Sequence, residues 1–336
     1  MLSMFLKRSV LMLGMLLGLL VITFLISHVT PGDPAALAAG PDATTEMIEQ
    51  IRTERGFDKP VIQQFFLYAF GILQGDFGTS IHTTHEVFDD IVAFFPATFE
   101  LVVFSILIAI LLGIPLGVIS AVTQNSWIDN VIRIVCSSGV GLPMFWLGLM
   151  LQLYFGLQLG WFPLGGRLDL MTDPPMTITG LYLIDALLTL NFPVFLEALH
   201  HIILPAVALC FPALASIIRV NRAEMLETLT QDYIVNARAQ GISVLRIIGL
   251  YALKNSILPT LALIGLRFGW MLGGTVLVES VFDWPGIGLY TVQAATASDF
   301  EPVMAATLVL GAWFMFANFL IDLLYGWMDP RVLKKG

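Results

Sequence analysis

Few side chains in this chain are arranged to do chemistry, and residues 221–256 carry seven charged ones on a helical-looking segment. They are Arg222, Glu224, Glu227, Asp232, Arg238, Arg246 and Lys254. The same segment carries an apolar stripe at steps of three and four residues: Leu226, Leu229, Tyr233 and Ala237. One face of such a segment buries, while the other offers guanidinium groups for charge-assisted hydrogen bonds. That is docking chemistry, with a partner protein or a membrane surface as the receiving side.

Catalytic patterns are missing. No GxxxxGK[ST], HExxH or GxSxG string occurs. The paired aspartates of an intramembrane protease have to face each other within spans, and only Asp322 lies well inside one. Of the five histidines, His82 and His85 stand three apart beside Glu86, Asp89 and Asp90, as either metal ligands or solvated polar residues. His200 and His201 are adjacent, so on a helix they point apart. The expectation is a chain with no catalytic group and no metal site. Charges in or near apolar runs remain: Arg267, Glu279, Asp322 and Glu100. An arginine at mid-membrane costs about 2.5–3.5 kcal/mol. Arg267 therefore either lines a polar pathway or pairs with Asp322 or Glu279 to fix helix packing. Glu279 and Asp322 are further candidates for that pathway; otherwise Asp322 packs or caps a helix end, and Glu100 and Glu279, near the outer ends, are solvated at the interface.

Elements that position these residues must be membrane helices. The chain of 336 residues is 57% hydrophobic and 12% charged, with mean hydropathy +0.85. A soluble chain carries about twice that charge. Six apolar runs can cross ~30 Å of hydrocarbon: 9–29, 99–122, 131–157, 201–220, 257–281 and 303–325. The first, behind Lys7 and Arg8, reads as an uncleaved signal-anchor over 1–29. Residues 30–98 form an outer segment, and 99–336 a core with outer loop 158–200 and inner loop 221–256. Ten lysines and arginines fall on one side (Lys7, Arg8, Arg219, Arg222, Arg238, Arg246, Lys254, Arg331, Lys334, Lys335). Four fall on the other (Arg52, Arg55, Lys59, Arg167), which places both termini in the cytoplasm. In the outer segments, 61–74 and 178–190 are apolar but too short to span, and read as helices on the interface. Gly265, Gly269 and Gly273 form an i+4 ridge for close helix approach, with Arg267 on the opposite face. The cysteines, Cys136 and Cys210, both sit in apolar runs.

The stretch Gln231-Asp232-Tyr233-Ile234-Val235-Asn236-Ala237-Arg238-Ala239-Gln240-Gly241 resembles the coupling loop of bacterial ATP-binding-cassette importer permeases. It is closest to the dipeptide/oligopeptide/nickel branch. The resemblance runs nearly end to end, through Pro31-Gly32-Asp33-Pro34, Gly75-Asp76-Phe77-Gly78, Pro96-Ala97-Thr98-Phe99-Glu100 and Asp283-Trp284-Pro285-Gly286 to Asp329-Pro330-Arg331. Val235 and Asn236 stand where the general pattern has Glu and Ala, and Lys254 where it has Pro; the peptide/nickel branch is similar in these changes. Arg267 stands where that branch usually shows Gln.

The resemblance implies an all-α, six-span type I importer permease in the bacterial inner membrane, non-catalytic, moving short peptides into the cytoplasm. A nickel or metal-chelate cargo is the alternative; a self-contained channel or secondary carrier is a further one. Implied partners are a second homologous permease, two ATP-binding subunits holding ATP and Mg, a periplasmic solute-binding protein and lipid, with no nucleic acid. Implied ATPase contacts are Asp232, Tyr233, Ala237, Arg238, Ala239, Gly241 and Leu245. Asp33, Gly75, Asp76 and Arg167 are expected at the gate or binding-protein contact. From the residues themselves, Gly241 is expected to end one short helix and open a turn into a second, Ser243 to Leu253.

Overall fold

In lipid, a chain satisfies its backbone N–H and C=O groups within helices or a closed barrel, so apolar runs of this length become helices. The computed structural model describes residues 2–29, 35–36, 43–54, 56 and 58–328. Among them no strand forms; a lone bridge joins Thr79 and Glu86. In chain order the helices are α1 (Leu2–Val29), α2 (Thr45–Glu54), α3 (Val61–Gln74) and α4 (Val87–Val122). Next come α5 (Trp127–Gly141), α6 (Met144–Gln158), α7 (Tyr182–Leu188) and α8 (Phe192–Leu229). The last are α9 (Asp232–Ala239), α10 (Val244–Val281), α11 (Ile287–Thr296) and α12 (Phe300–Met328).

Helices α1, α4, α8, α10 and α12 are each long and apolar enough to cross a membrane. Helices α5 and α6 are sharply bent at Pro143 and make the sixth span when taken as one broken crossing. The expected count of six stands on that reading. Boundaries differ from expectation. The proposed break at 98/99 falls inside α4, which runs straight through Pro96. Both the outer loop ending at 200 and the inner loop starting at 221 overlap α8. With 38 residues, α8 is about 57 Å long at 1.5 Å per residue, well beyond the hydrocarbon. Long helices thus carry site residues rigidly past both faces. The end bearing α9 is termed inner, following the lysine and arginine bias.

The core forms where α8 packs against α4 and α10. Leu101, Ile202, Leu209, Ile217, Met271 and Leu272 are buried together there. Small residues set the approach: a Cβ on Gly113 would stand 2.7 Å from Ile217 Cγ2, and one on Gly117 2.8 Å from Asn221 Nδ2. Asn221 Nδ2 also donates to the Ile114 carbonyl at 2.9 Å, crossing the same seam. The expected glycine ridge of α10 is only partly used. Gly265 and Gly269 pack on Ile321 and Phe314 of α12, whereas Gly273 faces open space. Helix α1 lies against α12 and touches α3.

Candidate functional site

On the inner side, α8 ends at Leu229 and the chain turns through Thr230 and Gln231 into α9. Gly241, at φ +76°, takes the left-handed conformation that lets the chain reverse at low cost. The expected separate second helix is absent: from Val244 the chain enters α10 and continues through a π-helical stretch, Ile247–Leu253, into the membrane. The expected stripe also needs correcting, because the break at Thr230 and Gln231 puts its members on two helices. Ile234, fully buried, and Ala237 anchor α9 against Met225, Ile247, Ala252 and Ala121, while Tyr233 is exposed. Asp232, Arg238, Ala239 and Gly241 are exposed, and Leu245 is 84% exposed. The result is a knob with a packed root and a free face of Tyr233, Val235, Val244 and Leu245 beside Arg238 and Arg246.

Arg222 does not belong to that face. Its Nε and Nη2 donate to both carboxylate oxygens of buried Asp129, at 2.8 and 2.9 Å. Asp129 also accepts from the Ser120 hydroxyl and the Asn125 N–H. Its own N–H donates to Ser126, the N-cap of α5. One carboxylate thus ties α4, α5 and α8 together beneath the knob.

The outer side is held by carboxylates that sequence expected to meet water. Glu279 is 0% exposed. Thr98 Oγ1 donates to its Oε1 at 2.7 Å, and the Leu289 N–H to its Oε2 at 3.1 Å. Thr98 in turn accepts from the Ile287 N–H at 2.8 Å. Glu279 therefore caps the positive end of α11, and a Cβ on Gly288 would stand 2.7 Å from Glu279 Oε2. Trp284 Nε1 donates to the Ala97 carbonyl at 2.9 Å, closing this turn onto α4.

Glu100 is likewise buried. It accepts from Arg167 Nη2 at 2.5 Å and from the Leu183 N–H at 2.7 Å. Arg167 is 7% exposed, donates to the Gly180 carbonyl at 3.1 Å and lies 3.4 Å from the centroid of the Tyr182 ring. Its guanidinium locks the 165–183 loop to α4 and offers no free face to a partner. Below it, Asp185 accepts from the N–H groups of Ile178, Thr179 and Gly180 and from the Thr179 hydroxyl. Burial disfavours its charge, but these bonds outweigh it and hold the carboxyl below the usual carboxylate range.

Gly75, at φ +86°, caps α3, and Asp76 accepts from the Gly78 N–H, so this turn is fixed. The strand-like stretch after it is held by Asp299, which accepts from Ser80 Oγ and the N–H groups of Ile81 and His82. Asp33 and the Pro31–Pro34 motif lie outside the described residues. His82 and His85 build no shared site; His85 Nδ1 lies 3.4 Å from Asp90, which also accepts from Thr83 and Tyr290. Burial, reinforced by that Asp90 bond, pushes the Tyr290 hydroxyl up.

Arg267 pairs with no carboxylate among the described residues, so the expected link to Glu279 does not form. Its Nη2 donates to Ser216 Oγ of α8 at 2.7 Å, and its Nε has no partner. Of Asp322, the structure describes only its place on α12. Three features escaped the sequence reading. Ile234 falls off the continuous stripe that Tyr233 fits, so periodicity alone does not mark it. Asp129 sits in an ordinary Ser-x-x-Asp helix start. Glu197 and His201 are i,i+4 on α8, a spacing legible in the sequence that the His200–His201 adjacency obscures.

A packed-root knob on one face is thus joined by α10 to a carboxylate-held loop system on the other. Residues 113–334 match the family model "Binding-protein-dependent transport system inner membrane component". Residues 1–102 match the N-terminal model of the same system. The chain is 46% identical over 319 residues to the "Probable D,D-dipeptide transport system permease protein DdpB" of Escherichia coli (strain K12), covering 95% of this chain and 94% of that protein. It is 38% identical over 334 residues to the "Dipeptide transport system permease protein DppB" of Alkalihalophilus pseudofirmus, covering 99% of each. It is 35% identical over 335 residues to the "Glutathione transport system permease protein GsiC" of Pectobacterium atrosepticum, covering 100% of each. With knob, crossing helix and outer lock in one continuous path, the chain belongs to the binding-protein-dependent transport system inner membrane components.

Proposed function

We propose that this chain is the permease subunit of an ATP-driven importer that moves short peptides from the periplasm to the cytoplasm. Peptide cargo is supported by relatives named for dipeptides, a D,D-dipeptide and glutathione along essentially the whole chain, and these names favour it over a nickel chelate. The chain hydrolyses nothing itself. ATP and Mg bind partner subunits, two of which sit under a pair of homologous permeases.

The observation that carries the coupling role is the path from α9 through Gly241 into α10. Its exposed face is apolar and cationic, its root is buried, and the helix it enters carries Glu279 two residues before its outer end at Val281. A rigid knob of this kind passes a displacement from an ATPase into the membrane as a helix shift. Arg267, half-buried and donating to the Ser216 hydroxyl of α8, is the candidate residue for lining the peptide route. A solute-binding protein docks outside; Gly75 and Asp76 shape the receiving surface, while Arg167 stiffens it from within.

The test is co-expression with the cognate ATPases and binding protein, followed by peptide uptake and co-purification. Leu245→Asp on the knob is expected to abolish both while membrane insertion persists. The outer-side control variant Leu170→Asp, at an even more exposed position, keeps ATPase co-purification. Retention of wild-type uptake and ATPase binding by Leu245→Asp would overturn the coupling role. Uptake of chelated nickel with no response to peptides would overturn the cargo.

A further inference from the structure

The outer end of α8 carries a cluster that neither the coupling path nor the Arg167 lock uses. Glu197 and His201 are four residues apart on one helix face, and the turn after Arg167 lays Asp169 against them. One ligand atom from each of the three lies within 4.8 Å of the others. His201 is 5% exposed and Asp169 is 73% exposed, so the cluster opens to the outer side from a buried base.

The imidazole is the informative group. Its Nδ1 stands 3.1 Å from the Gly165 carbonyl and 3.2 Å from the Gly166 carbonyl. Carbonyls only accept, so Nδ1 carries the proton and Nε2 of the neutral ring presents a lone pair. Among the described residues that lone pair meets no hydrogen-bond donor; it faces Asp169 Oδ1 at 3.5 Å. Two acceptors in this relation need a positive charge between them, either a second ring proton or a cation. Glu197 is already oriented: Oε1 accepts the Asp169 N–H at 2.8 Å and Oε2 the Thr172 hydroxyl at 3.0 Å, leaving lone pairs free on both oxygens. Among the described residues, neither carboxylate is paired with a lysine or arginine; Arg167 is committed to Glu100.

We propose that Asp169, Glu197 and His201 bind a divalent transition-metal cation of the zinc class, which pins the 165–172 turn onto α8. One imidazole and two carboxylates suit zinc or its first-row neighbours. The 3.5 Å Nε2–Oδ1 separation is close to the ~3.4 Å edge of a tetrahedron with ~2.1 Å metal–ligand bonds. Carbonyl-bound Nδ1–H is the usual outer support of a ligating histidine. Two negative ligands balance the charge of the ion, and water completes the coordination. The inference does not depend on the transported cargo.

The test uses the full-length chain, purified in detergent and stripped with EDTA, titrated with ZnCl2 by calorimetry. Wild type is expected to bind one equivalent with micromolar or tighter affinity, and amides of residues 165–172 to gain protection from hydrogen exchange. Asp169→Asn and Glu197→Gln are each expected to weaken binding at least tenfold. Asp169→Asn removes only an exposed side-chain charge and keeps the backbone bond to Glu197, so its folding is preserved. Absence of saturable binding to wild type would reduce the cluster to an imidazolium–carboxylate contact and overturn the proposal. So would equal affinity in Asp169→Asn and wild type.

Discussion

Arg167 separates an outer lock from an outer contact surface, and its removal has a calculable consequence. In Arg167→Ala the Glu100 carboxylate, 6% exposed, loses the one cationic partner it has among the described residues, and the Gly180 carbonyl and Tyr182 ring lose their contacts to the same guanidinium. Breaking one side of a buried pair costs about 3–5 kcal/mol, because the surviving charge stays buried. At 1.36 kcal/mol per decade that is roughly a 10²- to 10⁴-fold rise in local opening. The Leu183 N–H, held by Glu100 Oε1 at 2.7 Å, is the natural reporter, read by hydrogen exchange with mass spectrometry. Glu100→Gln alone is expected to cost a similar amount, since it strands the guanidinium. The double variant Glu100→Gln/Arg167→Ala strands no charge and is expected to cost no more than either single change, giving a coupling energy of about 3 kcal/mol or more. A surface arginine that merely meets a binding protein behaves otherwise: exchange at Leu183 stays as in wild type while uptake falls. Single-variant costs that add within about 0.5 kcal/mol would refute the buried-lock argument.

Gly117→Ala is expected to lower the thermal stability of the isolated chain by about 1–3 kcal/mol, because its Cβ meets Asn221 and the Ile218 carbonyl at 2.8–3.1 Å. Gly273→Ala, with nothing within 4 Å, is expected to stay within about 0.5 kcal/mol on the same melting assay. Ile234→Ala is expected to cost about 2–5 kcal/mol at the root of α9 and to raise proteolysis of residues 230–243 without stopping membrane insertion. Asp185 has a depressed folded pKa, so the stability it contributes is present above the ordinary carboxylate pKa and lost as pH falls through the lower folded value. Exchange at residues 178–180 is therefore expected to rise only in strong acid, and Asp185→Asn to abolish that pH step.

Sequence alone determined the class, the family resemblance and the apolar runs that supply five spans, or six with the bent α5–α6 pair taken as one. These rest on local and compositional physics: long apolar runs have one solution in lipid, and lysine and arginine asymmetry orients them. Gly241 was legible because a reversal between two helices calls for a residue that tolerates positive φ. Tertiary structure decided whom each charge meets. Glu279 and Glu100 look like interfacial carboxylates in a linear reading, yet α11 and the 165–183 loop fold over them and remove water. Arg222 looks like part of the docking face, yet Asp129, 93 residues away in sequence, claims both its donors. Arg267 finds a hydroxyl in place of the carboxylate expected for it. Asp169 joins Glu197 and His201 only because the loop before α7 doubles back onto α8. Helical periodicity is a property of one segment and can be read from it. The partner of a buried charge depends on which segments pack together, and that follows from glycine-set helix approaches such as Gly113 and Gly117 against α8.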